Sequence, residues 1–186
     1  MHDLAPMTAL GGDSARSDTI GPVTISESPD WALASVAARQ GQDATCAAAL
    51  ADLLGVPSPD VAGYVQGAGF AAFWIGPGAW MVAAPYPDHA DIAATLRDRL
   101  GGCASVTDQS DAWVRFDLRG EMLAQLFERL CNLDMDRMHP GTARRSVIEH
   151  LGCFVIRDGG GLHVLGPRSS AQSLHHALLT AARSVF

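Results

Sequence analysis

The chain has 186 residues, 48% hydrophobic and 18% charged. That balance suits one domain, or two small intimately packed halves, and excludes disorder over most of the length. The formal charge of −7 argues against nucleic acid, whose binding needs a cationic face to displace counterions. All 13 basic residues are arginine, and the one local basic pair, Arg144-Arg145, is too small to line a groove.

Residues 1 to about 20 are rich in Gly, Ser, Asp and Ala without periodicity, which predicts a flexible N-terminal arm. "GPVTISESPD" (21–30) reads as a short extended piece closed by a turn. "WALASVA" is a predicted strand. "DATCAAALADLLG" follows as a helix, with Leu50, Leu53 and Leu54 inward and Gly55 stopping it. "FAAFWI" and "WMVAA" are strands around a Gly-Pro-Gly turn. "PDHADIAATLRDRLG" is a helix with Asp88 as N-cap, a stripe of Ile92, Leu96 and Leu100, and Gly101 at its end. "CASVTD" and "AWVRFDL" are strands. "EMLAQLFERLC" is an amphipathic helix with Met122, Leu123, Leu126, Phe127 and Leu130 on one side. "CFVIR" and "LHVLG" make a hairpin over "DGGG", and "SSAQSLHHALLTAAR" is the closing helix.

The series repeats at one offset. Trp31 and Trp113 each begin a strand-then-helix unit 82 positions apart, and Trp80 and Leu162, Pro85 and Pro167, Ile92 and Leu174, and Leu96 and Leu178 keep that spacing. The order strand, helix, hairpin, helix occurs twice, in repeats of about 31–110 and 111–186 within one domain, 21–186. The expected class is α+β: duplicated ferredoxin-like, split βαβ halves with antiparallel sheets packed by helices.

These residues form no self-sufficient active site that their types and spacing reveal. "GAGFAA" (Gly67, Gly69, Ala72) loosely matches a dinucleotide fingerprint, but the following Gly76-Pro77-Gly78 breaks the helix that a pyrophosphate needs. No nucleophile elbow or phosphate loop is present. His175 and His176 are adjacent and point to different sides of a helix, so they cannot chelate as an i, i+4 pair. Cys46, Cys103, Cys131 and Cys153 form no C-x-x-C pair and sit among apolar neighbours, as buried thiols of a reducing compartment do. Asp134 and Asp136 in "LDMDRMHPG" could bind a cation, though an Asp-rich loop ending in Pro-Gly is an ordinary turn. Trp74, Trp80 and Trp113 could fill a core, anchor a partner or stack on a flat ligand. The N-terminus lacks a cationic start and an apolar core, and no apolar run nears the roughly 20 residues a bilayer span needs. A cytoplasmic protein without membrane or nucleic-acid partners is expected.

One family resemblance joins these segments. "FWIGPGAWMVAAP", "VTDQSDAWVRFDLRGEMLAQLFERLCNLDMDRMHPGTARRSVIEHLGCFVI" and "LHVLGPRSSAQSLHHALLTAA" resemble the gamma subunit of heterotetrameric sarcosine oxidase, over roughly Phe70 to the C-terminus. The matching positions are Trp74, Gly76, Pro77, Trp80 and Met81, then Asp108, Ser110 and Asp111. Gly120, Leu133, Asp134 and Met135 follow, then Gly141, Arg144 or Arg145, Ser146, and Ser169 or Ser170. Met81 and Met135 stand where the family has leucine, and Ser146 where it usually has threonine.

The resemblance implies a fold like the first domain of aminomethyltransferases and a complex that oxidises sarcosine to glycine. Oxygen is the acceptor, hydrogen peroxide is released, and the methyl carbon passes to tetrahydrofolate. It further implies that FAD, FMN, NAD and tetrahydrofolate sit on other subunits, with the alpha subunit as direct partner and the beta and delta subunits in the same assembly. No catalytic, cofactor-binding or metal residue is expected in this chain. Trp74, Gly76, Pro77, Trp80, Trp113, Asp134, Arg144 and Arg145 are the candidate partner-interface or structural residues. The alternative is a free-standing folate-binding or regulatory protein of the aminomethyltransferase-like superfamily, using Trp74, Trp80 and an arginine.

Overall fold

The computed structural model describes residues 6–186. Its chain divides into two compact units. The central unit holds Asp30–Asp111 with Gly141–Ala143; the flanking unit holds the described residues up to Pro29, then Ala112–Pro140 and Arg144–Phe186.

The central unit contains β3 (Trp31–Ala38), α1 (Asp43–Leu54), β4 (Tyr64–Gln66), β5 (Ala71–Gly76), β6 (Ala79–Pro85), α2 (Ile92–Leu100) and β7 (Ala104–Asp108). The strands before it, β1 (Ser17–Ile20) and β2 (Val23–Glu27), belong to the flanking unit. That unit continues with β8 (Trp113–Gly120), α3 (Leu123–Leu130), β9 (Thr142–Ile148), β10 (Leu151–Arg157), β11 (Leu162–Pro167) and α4 (Ala171–Val185). The first residues of β9 are counted with the central unit, where Tyr64 N–H donates to Gly141 O and Ala143 N–H to Ala62 O.

The central sheet runs β4-β5-β6-β3-β7 and the flanking sheet β1-β2-β8-β11-β10-β9. All pairings described in both are antiparallel. Taking β3, β5, β6 and β7 as strands one to four gives the spatial order four-one-three-two of a split βαβ fold. In the flanking unit β8, β10 and β11 take the same places. α4 has no strand after it, so β2 fills the fourth place from the other end of the sequence. The two halves are therefore ferredoxin-like, as expected. The 82-residue offset reappears as hydrogen-bond register: Trp31 faces Pro85 and Val36 faces Trp80, while Trp113 faces Pro167 and Leu118 faces Leu162.

Each half has its own core between sheet and helices. In the central unit Cys46, Leu50 and Leu54 of α1 and Ile92, Leu96 and Leu100 of α2 meet Ala32, Ala34, Val36, Val82 and Ala84. Leu53 is only half-buried at the margin of this cluster. α1 stops where Gly55 takes φ 71°, a left-handed cap that a side chain would strain. In the flanking unit Val114, Phe116 and Leu118 alternate onto Leu126 and Phe127 of α3 and onto Leu174, Leu178 and Ala182 of α4. Burying a Leu or Phe side chain contributes about 1.5–3 kcal/mol, so these stripes decide which face of each sheet is covered.

Several local expectations are corrected. Ser17–Ile20, within the expected arm, forms β1, in full register with β2 from Ser17 opposite Ser26 to Ile20 opposite Val23. Ala9, Leu10 and Ile20 pack against the flanking core, and Glu27, 5% exposed, accepts the Leu10 and Arg16 N–H groups. Residues 1–5 of the arm lie outside the described residues. Asp91, not Asp88, caps α2, accepting from Ala94 N at 2.9 Å. Asp88 is held in a preceding turn, where its N–H and that of His89 both donate to Pro85 O. Met122 precedes α3 at φ 62° and is 48% exposed, off the buried stripe.

Candidate functional site

Among the eight candidate residues, four belong to the β5–β6 hairpin. Trp74 lies opposite Trp80, and the register shifts between Trp74 and Gly76 as the strand bulges into the turn. Pro77 is exposed at the tip, and Gly78 follows at φ 61°, the pairing of fixed and positive φ that a type II turn uses. Gly78 O accepts from Ala38 N at 2.8 Å, which ties the turn to β3. Trp80 is 5% exposed, and its Nε1–H donates to Pro59 O at 2.9 Å. Neither its ring face nor its polar handle is left to a ligand, so the reading in which Trp80 stacks on a pterin lacks its platform.

In the flanking unit the structure brings Trp113 and Arg145 onto one aromatic ring. The Trp113 and Phe154 centroids are 5.3 Å apart, tilted by 54°, and the exposed Arg145 guanidinium carbon stands 5.7 Å above Phe154. Such contacts are each worth about 0.5–1.5 kcal/mol beyond area burial. Arg144, the other arginine of "ARRS", is half-buried. Asp134 is placed apart from these. Its Oδ1 accepts from Asp136 N and its Oδ2 pairs with Arg137 Nε at 3.3 Å. It starts a single turn, Met135–Arg137, of 3-10 helix.

The densest polar constellation escaped the sequence reading. On the sheet face turned away from the helices, Arg115, Asp117 and Arg119 of β8 adjoin His163 of β11, which is 3% exposed. His163 Nδ1 lies 2.7 Å from Asp117 Oδ1, and Nε2 lies 2.9 Å from Asp158 Oδ2. Arg115 Nε donates to Asp117 Oδ1 at 2.6 Å. Arg119 donates through both terminal nitrogens to Asp158, at 3.1 and 3.2 Å. Asp158 Oδ1 also accepts the Gly160 and Gly161 N–H groups, so the hairpin turn "DGGG" is fastened by its own aspartate. Burial alone would raise the Asp117 carboxyl. The His163 hydrogen bond and the charge and bonds of Arg115 outweigh it and hold the group at about 2. Asp158 is lowered as well, burial being overcome by the Gly160 bond, His163 and Arg119.

A second, smaller set lies on the helix side. His175 of α4 stacks on Phe116 at 5.6 Å, and its Nε2 is 2.9 Å from Asp18 Oδ2. Arg16 bonds the same carboxylate at 2.8 and 3.1 Å. Asp18 is lowered chiefly by the Arg16 bond. The one visible signal for either set was Arg115 and Asp117 alternating with apolar residues on β8. Their partners His163 and Asp158 are reached only through strand order.

The remaining motifs resolve into scaffold. A Cβ on Gly67 would collide with the Leu54 carbonyl, and β5, not a helix, follows the "GAGFAA" glycines. Cys46 and Cys153 are buried, and burial pushes both thiols up to about 11. Among the described residues no group of three His, Cys, Asp or Glu side chains is placed to hold a metal. None of the described helices is long and apolar enough to cross a membrane. Every buried side-chain nitrogen or oxygen among the described residues has a hydrogen-bond partner.

No family model matches the sequence, and no curated protein does. Solved structures do. A chain of the heterotetrameric sarcosine oxidase from Corynebacterium sp. U-96, in complex with pyrrole 2-carboxylate, superposes with a TM-score of 0.74 at 25% identity. The match covers 88% of this chain and 85% of that one. The glycine cleavage system aminomethyltransferase T from Bartonella henselae superposes with a TM-score of 0.57 at 18% identity. That match covers 84% of this chain and 48% of the transferase, so the present chain spans about half of it. The chain thus has an aminomethyltransferase-like fold, related to that of a sarcosine oxidase subunit.

Proposed function

We propose that this chain is the gamma subunit of a heterotetrameric sarcosine oxidase, a non-catalytic subunit of the cytoplasm that docks on the alpha subunit. In this reading it supports oxidative demethylation of sarcosine to glycine, with hydrogen peroxide and methylene-tetrahydrofolate as the other products. FAD, FMN, NAD and tetrahydrofolate are carried by the partner subunits, and beta and delta complete the assembly. The observation that carries the reading is the likeness, over 88% of this chain and 85% of the other, to a sarcosine oxidase chain at a TM-score of 0.74. A fragment-sized match would support only a shared fold; here most of both chains is covered. The walled-in Trp80 and the partnered buried polar atoms of the described residues fit a body whose work is done by its surface.

The experiment is co-expression of the tagged chain with the alpha, beta and delta subunits, followed by affinity capture and assay of peroxide release from sarcosine. Capture of a stoichiometric complex, with activity lost when this chain is omitted, is expected. A chain that ignores the other subunits, or that consumes sarcosine alone, overturns the proposal. Titration of the isolated chain with tetrahydrofolate, followed by tryptophan fluorescence, covers the alternative. Saturable quenching would favour a free-standing folate-binding protein.

A further inference from the structure

The Nδ1 atom of His163 has two neighbours that no single protonation state can satisfy. Asp117 Oδ1, an acceptor, is at 2.7 Å, and Arg115 Nη2, a donor, is at 2.9 Å. A ring nitrogen is either a donor or an acceptor. Either neutral tautomer sets one lone pair against a carboxylate, Nδ1 against Asp117 at 2.7 Å or Nε2 against Asp158 at 2.9 Å. With the proton on Nδ1, Arg115 Nη2 has the Nε2 lone pair at 3.5 Å; with it on Nε2, the Asp158 bond is kept. Nδ1 then accepts from Arg115. In the charged ring both nitrogens donate, to Asp117 and to Asp158, and Arg115 Nη2 faces an N–H instead of a lone pair. Arg115 gives up the imidazole but stays attached through Nε to Asp117 Oδ1 at 2.6 Å.

We propose that His163 is a proton-operated switch whose charge state decides whether the Arg115 guanidinium is bonded to the imidazole or released from it while it stays bonded to Asp117. The surrounding charges make both states tenable. β8 contributes Arg115, Asp117 and Arg119, and the β10–β11 turn contributes Asp158. Ser26 of β2, opposite Asp117, and Ile156 of β10, opposite His163, are uncharged. With a neutral ring the two arginines balance the two aspartates, and protonation adds one positive charge between the two carboxylates. The switch belongs to one half of the fold. At the 82-residue offset, Arg115, Asp117, Arg119, Asp158 and His163 correspond to Leu33, Ser35, Ala37, Gly76 and Met81, none of which titrates.

The test is a pH titration of the full chain, labelled with ¹⁵N in histidine and arginine, reading the His163 ring nitrogens and the Arg115 guanidinium in the same samples. The expected result is a shift of both with one midpoint, and loss of the Arg115 response in H163Q. Wild-type spectra alone can overturn the proposal, whether or not H163Q folds. An Arg115 signal that stays still while His163 titrates does so, as does a His163 ring that never changes protonation while the fold persists. An Arg115 response that survives unchanged in a folded H163Q has the same force.

Discussion

Replacing Asp117 with asparagine keeps the shape of the side chain and removes its charge. In the folded chain the carboxyl is held at about 2 rather than its ordinary 3.8, and the side chain is 22% exposed. That difference corresponds to roughly 2 kcal/mol of stability at neutral pH. Because the folded value is depressed, the contribution is complete above about pH 4. It is lost as pH falls through the folded value, and about half remains at pH 3. Urea unfolding of wild type and D117N at pH 7 and pH 3 measures it. The gap between the two proteins should be roughly 2 kcal/mol at pH 7 and roughly 1 kcal/mol at pH 3. At pH 7 the variant's Tm should fall by about 4–8 °C for a chain of this size. A gap of the same size at both pH values would refute the reasoning, since it would assign the loss to shape or packing and not to charge.

Two further outcomes are expected. Asp91→Ala should destabilise the protein by about 0.5–2 kcal/mol, because it removes the acceptor for Ala94 N at 2.9 Å, while Asp88→Ala should change denaturant stability little. The reverse ranking would move the start of α2 back into the Tyr86–His89 turn. Titration of the native protein with an aromatic disulfide reagent at pH 8 should modify the half-buried Cys131 first. Cys46 and Cys153, enclosed and pushed up to about 11, should react only on unfolding. Rapid labelling of all four thiols in the native protein would show that the cores open far more readily than their packing implies.

Much of this architecture could be read from residue spacing because apolar side chains carry it. The apolar residues of "AWVRFDL" marked β8 as a strand, and the Leu50–Leu54 and Ile92–Leu96–Leu100 intervals gave α1 and α2. The 82-residue offset gave the repeated order of elements, and the structure shows the same offset in the strand register. β1 was missed because Ser17, Asp18 and Thr19 have no hydrophobic period; they are a strand only because β2 lies beside them. The start of α2 was misplaced because Asp88 and Asp91 are equally good caps by type, and the turn bonds to Pro85 O decide between them. The His163 network was illegible for a deeper reason. Its members are up to 48 positions apart, and they meet only because β8 and β11 are neighbours. Local propensity does not encode that neighbourhood, and a lone buried histidine has no signature of its own.

The placement of β2 in the flanking sheet has a consequence for how the polypeptide comes into being. The central unit is almost wholly one unbroken stretch, so nearly all its strands can pair as soon as residue 111 has been made. β2 is made before any of them, yet β8, its partner on the side away from β1, begins only at Trp113. On the ribosome, where chains emerge at about 5–20 residues per second, β2 can pair with β1 at once, but the hairpin they make must wait through the birth of the whole central unit before the sheet it belongs to exists.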